Sequence, residues 1–487
     1  MRKISQVLLA AFLIFFFEYN PRVHNGQENL AYDQFESAKA DFNKQDYYAA
    51  ARMAHLASLN RPDSAGPWVL TGHCFYLLGQ DQAALFHYST ALQMDPKIGN
   101  LPPFLDRLRQ GATQPQAIAK ADSRVLRLLH KKIGQMIMVS VPGVALSGQK
   151  KTFLNAGWIG GVILFGQNVK SRAQITQYIT DIQRNSPTPL FIAVDQEGGA
   201  VRRFREAQGF QCLPSQAALG QTQNADLAYR FGLLSGMQLK EVGANLNLAP
   251  VVDIDRGIPD SIITRYRRSL GSDPQMVSDL AFQIIRGMKA QNILATAKHF
   301  PTQSVQTANP HDNMAITNIP LLELEQKDLV PYRKLIEQNL LDAIMLSHVI
   351  YKNIDPDHPA SLSHEMIQTL LRKKMGFQGL VISDDLRMDA IKQRYPLDVS
   401  VVQAVNAGVD ILLVTDNMEK RVMDALVKAV QTGQVSMKTI NESYQRIMAM
   451  KKKYGILTPA PGTAAAQAPP SQPAPNRYVM RPAEAQP

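Results

Sequence analysis

The chain has few of the residues that mark several protein classes. Its 487 residues include two cysteines, Cys74 and Cys212, which lie in different segments and are too few for a disulfide framework. We therefore interpret both thiols as unpaired. The 52 basic residues outnumber the 41 acidic ones, but they are scattered and form no long run. The net charge of +11 thus favours a basic, solvated surface over nucleic-acid binding.

The motifs of several enzyme classes are also missing. No Gly-rich phosphate loop follows the first predicted strand, and no Gly-x-Ser-x-Gly elbow is present for a serine nucleophile. No His-x-His pair follows that strand and no His-Glu-x-x-His helix occurs, although His299, His348 and Asp384 would supply some metal ligands. These absences argue against an open doubly wound sheet, a serine hydrolase and a metal hydrolase. We expect neither a metal nor an organic cofactor.

An apolar stretch at the N-terminus is typical of an export signal. Arg2 and Lys3 precede an unbroken apolar run over 7–17, which is shorter than the roughly 20 residues of a membrane-spanning helix. Residues 16–18 are bulky and give no clean cleavage site, so an uncleaved anchor remains the alternative. We assign 1–20 to a signal peptide or anchor. The protein is then exported, periplasmic or extracellular, and contacts a membrane only through this segment.

An internal repeat follows between residues 31 and 97. Its period of 34 residues is that of a tetratricopeptide repeat. Three residues of the first copy recur in the second, namely Ala50 as Ala84, Ala57 as Ala91, and Pro62 as Pro96. The second copy also has the expected Trp68, Gly72, Phe75 and Tyr88. Because two repeats are few for independent stability, we predict an all-α segment over 31–130 whose last part caps them. It serves either as a docking surface for a protein partner or as a spacer.

From about residue 131 short apolar runs alternate with amphipathic helical patterns. Eight such runs predict an α/β fold, one (β/α)8 barrel of the TIM type, over 131–456. Helical patterns at 225–242, 275–291 and 323–338 lie between them. The tail at 457–487 is rich in Pro and Ala, so we predict that it is disordered. The eight predicted strands are 135–141, 160–165, 189–194, 245–252, 293–300, 342–349, 379–382 and 409–414.

Ionisable residues stand at the ends of five consecutive predicted strands. The carboxyl ends of the strands carry the catalytic groups in barrels of this type. A single polar residue there often caps the next helix, but five strands in succession predict a charged pocket. Paired carboxylates and histidines over such a pocket admit hydrolytic chemistry, including glycoside cleavage. The residues are Asp195 and Glu197 after strand three, Asp253 after strand four, Lys298 and His299 at strand five, His348 at strand six, and Asp384 and Asp385 after strand seven.

Several motifs in order carry a family resemblance. Together they resemble the β-N-acetylglucosaminidases, or β-hexosaminidases, of glycoside hydrolase family 3. The resemblance covers about 130–455 and implies a retaining, exo-acting hydrolase of cell-wall-derived glycosides that contain N-acetylglucosamine, with a role in peptidoglycan turnover. The motifs are Val-Asp-Gln-Glu-Gly-Gly at 194–199, Leu-Ala-Pro-Val-Val-Asp at 248–253, Arg-Ser-Leu-Gly-Ser-Asp-Pro at 268–274, Lys-His-Phe-Pro at 298–301, Pro-Ala-Ser-Leu-Ser at 359–363 and Ile-Ser-Asp-Asp-Leu-Arg-Met at 382–388.

The resemblance implies roles for individual positions. Asp384 matches the family's nucleophile, which forms a covalent glycosyl intermediate. Asp385 lies on the opposite face of an extended chain, so we assign it to capping the next helix. His311 matches the acid/base, a histidine on a mobile loop after strand five. The positions that match binders of the sugar hydroxyls and the N-acetyl group are Asp195, Arg203, Arg268, Lys298 and His299.

The chain departs from the family pattern around His311. Family members read Gly-His-Gly and then Asp-Ser-His, whereas this chain has Thr-Gln-Ser at 302–304 and Asn-Pro-His at 309–311. Asn309 can accept a hydrogen bond from the imidazole but cannot stabilise the imidazolium that forms when His311 takes a proton. Two hypotheses follow: a hydrolase slowed by its acid/base, or a catalytically silent sugar-binding module that scaffolds partners through its repeats. The sequence leaves open whether the acceptor is water, phosphate or another sugar.

Overall fold

The computed structural model describes residues 26–44, 46–60, 64–77, 126–305, 314–432 and 434–457, together with residues 84, 87–88, 90–92 and 95. The predicted signal at 1–20, the tail from 458, and the loop with Asn309 and His311 lie outside the described residues. Within the described ranges, no helix combines the length and the hydropathy needed to cross a membrane.

A helical segment precedes the barrel, as predicted. Its described helices are α1 (Gly26–Asn43), α2 (Tyr47–Asn60) and α3 (Ala65–Leu77). Small side chains let them pack closely, since Ala50 and Ala54 of α2 are fully buried. Gly72 of α3 lies against the ring of Tyr88, where an added Cβ would come within 2.9 Å of the ring. The assignment of this segment to tetratricopeptide repeats stays a prediction.

Eight parallel strands form the barrel. They are β1 (Ile137–Ser140), β2 (Gly161–Leu164), β3 (Phe191–Val194), β4 (Leu246–Asn247), β5 (Leu294–Phe300), β7 (Ala343–Leu346), β9 (Leu380–Ile382) and β10 (Leu412–Val414); β6 (Ala315–Thr317) and β8 (Val349–Tyr351) form a separate pair. The strand order is β10-β1-β2-β3-β4-β5-β7-β9. A parallel bridge between Ile382 and Ile411 brings the two edge strands together, so the sheet is almost closed. The predicted (β/α)8 fold is therefore confirmed.

The strands are short, nearly continuous apolar runs because helices cover the outer face of the sheet. Close packing of two of these helices depends on Gly232, where an added Cβ would lie 2.0 Å from the Ile284 carbonyl oxygen. A π-helix spans Glu365–Lys374. The α-helices are α4 (Gly148–Asn155), α5 (Arg172–Arg184), α6 (Gln216–Thr222), α7 (Ala225–Val242), α8 (Ile262–Arg265), α9 (Pro274–Ala290), α10 (Leu321–Gln326), α11 (Leu329–Glu337), α12 (Asp389–Lys392), α13 (Leu397–Ala407), α14 (Glu419–Gln431) and α15 (Met437–Lys453).

The prediction of one helix over 323–338 is wrong in one respect, because the structure has two helices in this range. The helical conformation is interrupted between α10 and α11, at Lys327 and Asp328. Pro331 explains the break, since a proline ring clashes with the carbonyl four residues earlier, here that of Lys327. The break places the Asp328 carboxylate in a buried ion pair with Arg256.

Lys451 lies at the end of the barrel that is opposite the carboxyl ends of the strands. Its buried Nζ donates to Gln135 Oε1 at 2.7 Å and to the carbonyl oxygens of Gly160 and Pro189 at 2.9 and 2.7 Å. At the same end, His55 Nε2 of α2 lies 2.6 Å from the Gln431 carbonyl oxygen, where α14 ends. Because a barrel helix runs antiparallel to the strand before it, this contact is remote from the carboxyl ends of the strands.

Candidate active site

The predicted site residues meet at the carboxyl ends of the strands. Lys298, near the end of β5, is buried and lies between two carboxylates that follow β3. Its Nζ is 2.8 Å from Asp195 Oδ1 and 2.6 Å from Glu197 Oε1. The ammonium group therefore compensates both carboxylates at once, which buried charges require.

Two arginines complete this charged network of Asp195, Glu197, Arg203, Arg268 and Lys298. Arg268 donates from Nε and Nη2 to the two oxygens of Glu197, each at 2.8 Å, in the bidentate geometry of a strong charge-assisted pair. Arg203 Nη2 lies 3.0 Å from Asp195 Oδ2, and its buried Nε has no hydrogen-bond partner within the described part of the chain. Three cations thus surround two carboxylates.

The network keeps its carboxylates ionised. Burial raises the pKa of Glu197, but Arg268 and Lys298 outweigh burial and lower that pKa to about 2. Burial also raises the pKa of Asp195, and there Lys298 and Arg203 lower it well below its usual range. The pKa of Lys298 is raised, because the two carboxylates outweigh its burial. These groups therefore stay charged at neutral pH.

His299 is held in one orientation beside the network. Its Nδ1 lies 2.7 Å from Asp253 Oδ2, and Arg268 Nη2 lies 3.3 Å from its Nε2. A carboxylate accepts and a guanidinium donates, so the hydrogen belongs on Nδ1 and Nε2 is an acceptor. The Gln303 amide fixes the other oxygen of Asp253 at 2.7 Å. His299 is thus held in one orientation, and its Nε2 accepts from Arg268, so this nitrogen offers no hydrogen to a leaving group.

Adjacent residues Lys298 and His299 both reach the site, although neighbouring side chains of a regular strand face opposite sides. The pairing of β5 with β7 explains this, because its register shifts between Lys298 and Phe300. Such an irregularity re-aims side chains at the rim of a barrel. Period-two reasoning from the sequence would place only one of the two residues in the pocket.

Asp384 follows β9 and is half-buried. The Asp385 amide donates to its Oδ1 at 2.8 Å. The Asp385 carboxylate accepts from Thr415 Oγ1 at 2.7 Å and from the amides of Thr415 and Arg387 at 3.2 and 3.0 Å. The prediction that Asp385 caps the next helix is wrong, because α12 begins only at Asp389 and Asp385 instead ties together two loops. Asp384 is the carboxylate that remains for chemistry.

Two site residues received no role from the sequence. Glu197 pairs with Arg268 and Lys298, and Asp253 orients His299. Both stood at predicted strand ends, and that position was the available signal. The predicted acid/base His311 and its neighbour Asn309 lie outside the described residues. Among the residues that the structure describes, no group of three or more His, Cys, Asp or Glu side chains is arranged to hold a metal ion.

The arrangement suits recognition of a polyhydroxylated molecule. Charged donors and acceptors alternate in the network, and each is held by its neighbours before any ligand arrives. In the sheet β7 lies between β5 and β9, so Lys298 and His299 at the end of β5 and Asp384 after β9 lie on the same rim of the barrel. A nucleophile beside such a network can attack a bound sugar.

Comparisons with known proteins agree with this geometry. Residues 128–450 match the family described as glycosyl hydrolase family 3 N terminal domain. A β-hexosaminidase from Tolumonas auensis is 40% identical over 285 residues, which cover 58% of this chain and 83% of that protein. A β-hexosaminidase from Nitrosomonas eutropha is 35% identical over 301 residues, which cover 61% and 84%. A glycoside hydrolase family 3 β-N-acetylglucosaminidase structure from Paenibacillus sp. has a TM-score of 0.67 and 31% identity, covering 72% of this chain and 66% of that one. The chain belongs to glycosyl hydrolase family 3.

Proposed function

We propose that the protein is a retaining exo-β-N-acetylglucosaminidase that releases terminal N-acetylglucosamine from cell-wall-derived glycosides. The observation that carries this proposal is the charged network at the strand ends, on the same rim of the barrel as Asp384, a half-buried carboxylate. The names of its relatives support the substrate class, since they are β-hexosaminidases and a β-N-acetylglucosaminidase. The export signal predicted at 1–20 supports action outside the cytoplasm.

The reaction proceeds in two displacements at the anomeric carbon. The Asp384 carboxylate attacks that carbon and forms a glycosyl ester, while the bond to the leaving oxygen breaks. His311 gives a proton to the leaving oxygen, and then takes one from the water that hydrolyses the ester. Each step inverts the anomeric centre, so the product retains the β configuration. The charged network binds the sugar hydroxyls through both steps.

Asn309 should slow the proton transfer by His311, which is the acid/base step of the reaction. Proton transfer leaves an imidazolium on His311 that an amide stabilises less than a carboxylate does. We expect Asn309→Asp to raise kcat/KM roughly 10- to 100-fold for an N-acetyl-β-glucosaminide with a poor leaving group, within the range of a single acid/base contribution. For a substrate with an activated phenolate, which needs little protonation, kcat/KM should stay unchanged. Steady-state fluorescence assays with the two substrates measure both values.

Asn313→Asp is the matched control, since it adds the same charge two residues beyond His311. It should leave both kcat/KM values at the wild-type level. Equal gains on both substrates in the Asn309 variant would show that the aspartate does not act through leaving-group protonation. If neither wild type nor variant cleaves either substrate, the hydrolase proposal fails.

The replacement of a carboxylate by Asn309 also favours a second candidate, a silent sugar-binding module. In that case the helical segment would recruit a protein partner while the barrel holds the sugar. The contact between His55 and Gln431 lies away from the strand carboxyl ends, so a partner on the helices would leave the pocket open. Calorimetry without detectable N-acetylglucosamine binding would eliminate this candidate.

A further inference from the structure

His348 is a buried histidine outside the charged network. It is fully buried between β7 and β8. Its Nε2 lies 3.0 Å from the Asp385 carbonyl oxygen, and its Nδ1 lies 2.7 Å from Ser361 Oγ. A carbonyl oxygen only accepts, so Nε2 carries the hydrogen and Nδ1 accepts from the Ser361 hydroxyl. Burial lowers the pKa of His348, although the charge of Asp384 raises it. The two hydrogen bonds and the burial together fit a neutral imidazole with one fixed tautomer.

The partner of His348 is the residue that holds Asp384. The Asp385 amide donates to Asp384 Oδ1, so the position of this peptide sets the orientation of the Asp384 carboxylate. The Asp385 side chain is tied to Thr415 and to the Arg387 amide. Its carbonyl is tied to His348. Asp385 is therefore fixed at its amide, its side chain and its carbonyl.

We propose that His348, held by Ser361, is a positioning residue for the nucleophile. It fixes the main chain at Asp385 so that the Asp384 carboxylate keeps the direction needed for attack on the anomeric carbon. A displaced nucleophile loses much of the advantage of an oriented reaction, even when the sugar still binds. This role rests on the proposed function, because it assigns His348 to the formation of the glycosyl ester. It is separate from sugar recognition by the charged network.

The test compares His348→Leu with His348→Gln. Leucine removes both hydrogen bonds, whereas glutamine can donate from Nε2 to the Asp385 carbonyl and accept from Ser361 at Oε1. With an activated aryl N-acetyl-β-glucosaminide, kcat/KM reports the attack of Asp384. We expect His348→Leu to lower kcat/KM roughly 10- to 100-fold, while the inhibition constant of N-acetylglucosamine stays unchanged. His348→Gln should recover most of the loss, and Ser361→Ala should fall between the two.

Hydrogen–deuterium exchange of the peptide over 383–388 reads the positioning without any turnover. We expect faster exchange in His348→Leu and wild-type exchange in His348→Gln. His364→Leu is the control, because this histidine side chain is 66% exposed, and it should change neither exchange nor kinetics. Unchanged exchange and kcat/KM in His348→Leu, or equal losses in both variants with weaker sugar inhibition, would overturn the positioning role. A wild-type protein without turnover but with the expected exchange pattern would instead count against the proposed hydrolase.

Discussion

We expect Asp384→Ala to lower kcat for an aryl N-acetyl-β-glucosaminide by about four orders of magnitude or more, because the variant lacks the proposed nucleophile. Among the residues that the structure describes, the nearby carboxylates are already engaged, because Asp385 is held by Thr415 and Arg387 and the two network carboxylates are paired with cations. The space left by the side chain admits a small anion. Azide should therefore restore release of an activated phenolate and yield a glycosyl azide of inverted, α configuration. Product release and NMR of the azide adduct measure the two effects.

Asp416→Ala provides the control for this variant. The Asp416 side chain is 60% exposed and pairs only loosely with Arg387, at 3.4 Å. Its removal should leave kcat unchanged. Turnover by Asp384→Ala at the wild-type rate, or rescue by azide with retained configuration, would assign the nucleophile to another group.

We expect Lys298→Met to lower both the free energy of unfolding and the affinity for the sugar. The substitution leaves Asp195 and Glu197 in a buried site without the ammonium group that lies within 3 Å of both. Removal of one partner of a buried ion pair destabilises a protein by about 3 to 5 kcal/mol, because the remaining charge stays desolvated. The two carboxylates would also draw their arginines away from a ligand. Urea unfolding and calorimetry with N-acetylglucosamine measure the two losses.

The control variant Arg372→Met separates the loss of stability from the loss of sugar binding. Arg372 Nη2 lies 2.8 Å from the fully buried Asp410 carboxylate, next to the start of β10 and away from the strand carboxyl ends. This variant should lose stability comparably and bind the sugar as tightly as wild type. If Lys298→Met binds N-acetylglucosamine normally, the charged network has a structural role and does not recognise the substrate.

The barrel was predictable because its signal is repeated and local. Eight apolar runs between amphipathic helices indicate alternating strands and helices, and each predicted run contains one observed barrel strand. The details that failed depend on single residues or on distant contacts. Pro331 divides one predicted helix, and the side chain of Asp385 bonds to Thr415 on the loop after β10 instead of capping a helix.

The site was predictable in part. The family resemblance implies roles for Asp195, Arg203, Arg268, Lys298 and His299, and the structure brings all five together. Their roles in sugar binding stay predictions. The ion pairs inside the site depend on the three-dimensional arrangement. The register shift in β5 lets the consecutive side chains of Lys298 and His299 both reach the site. Glu197 pairs with Arg268 and Lys298, which lie 71 and 101 positions away in the sequence.

The most direct test of the central claim is mass spectrometry of the protein after reaction with 5-fluoro-N-acetylglucosaminyl fluoride. The good leaving group drives formation of the glycosyl ester, and the ring fluorine slows its hydrolysis by disfavouring the oxocarbenium-like transition state. We predict a mass increase of one fluorinated sugar, located on the peptide that contains Asp384 and absent in Asp384→Ala. An unmodified protein, or an adduct on a different residue, would contradict the assignment of Asp384 as the nucleophile of a retaining N-acetylglucosaminidase.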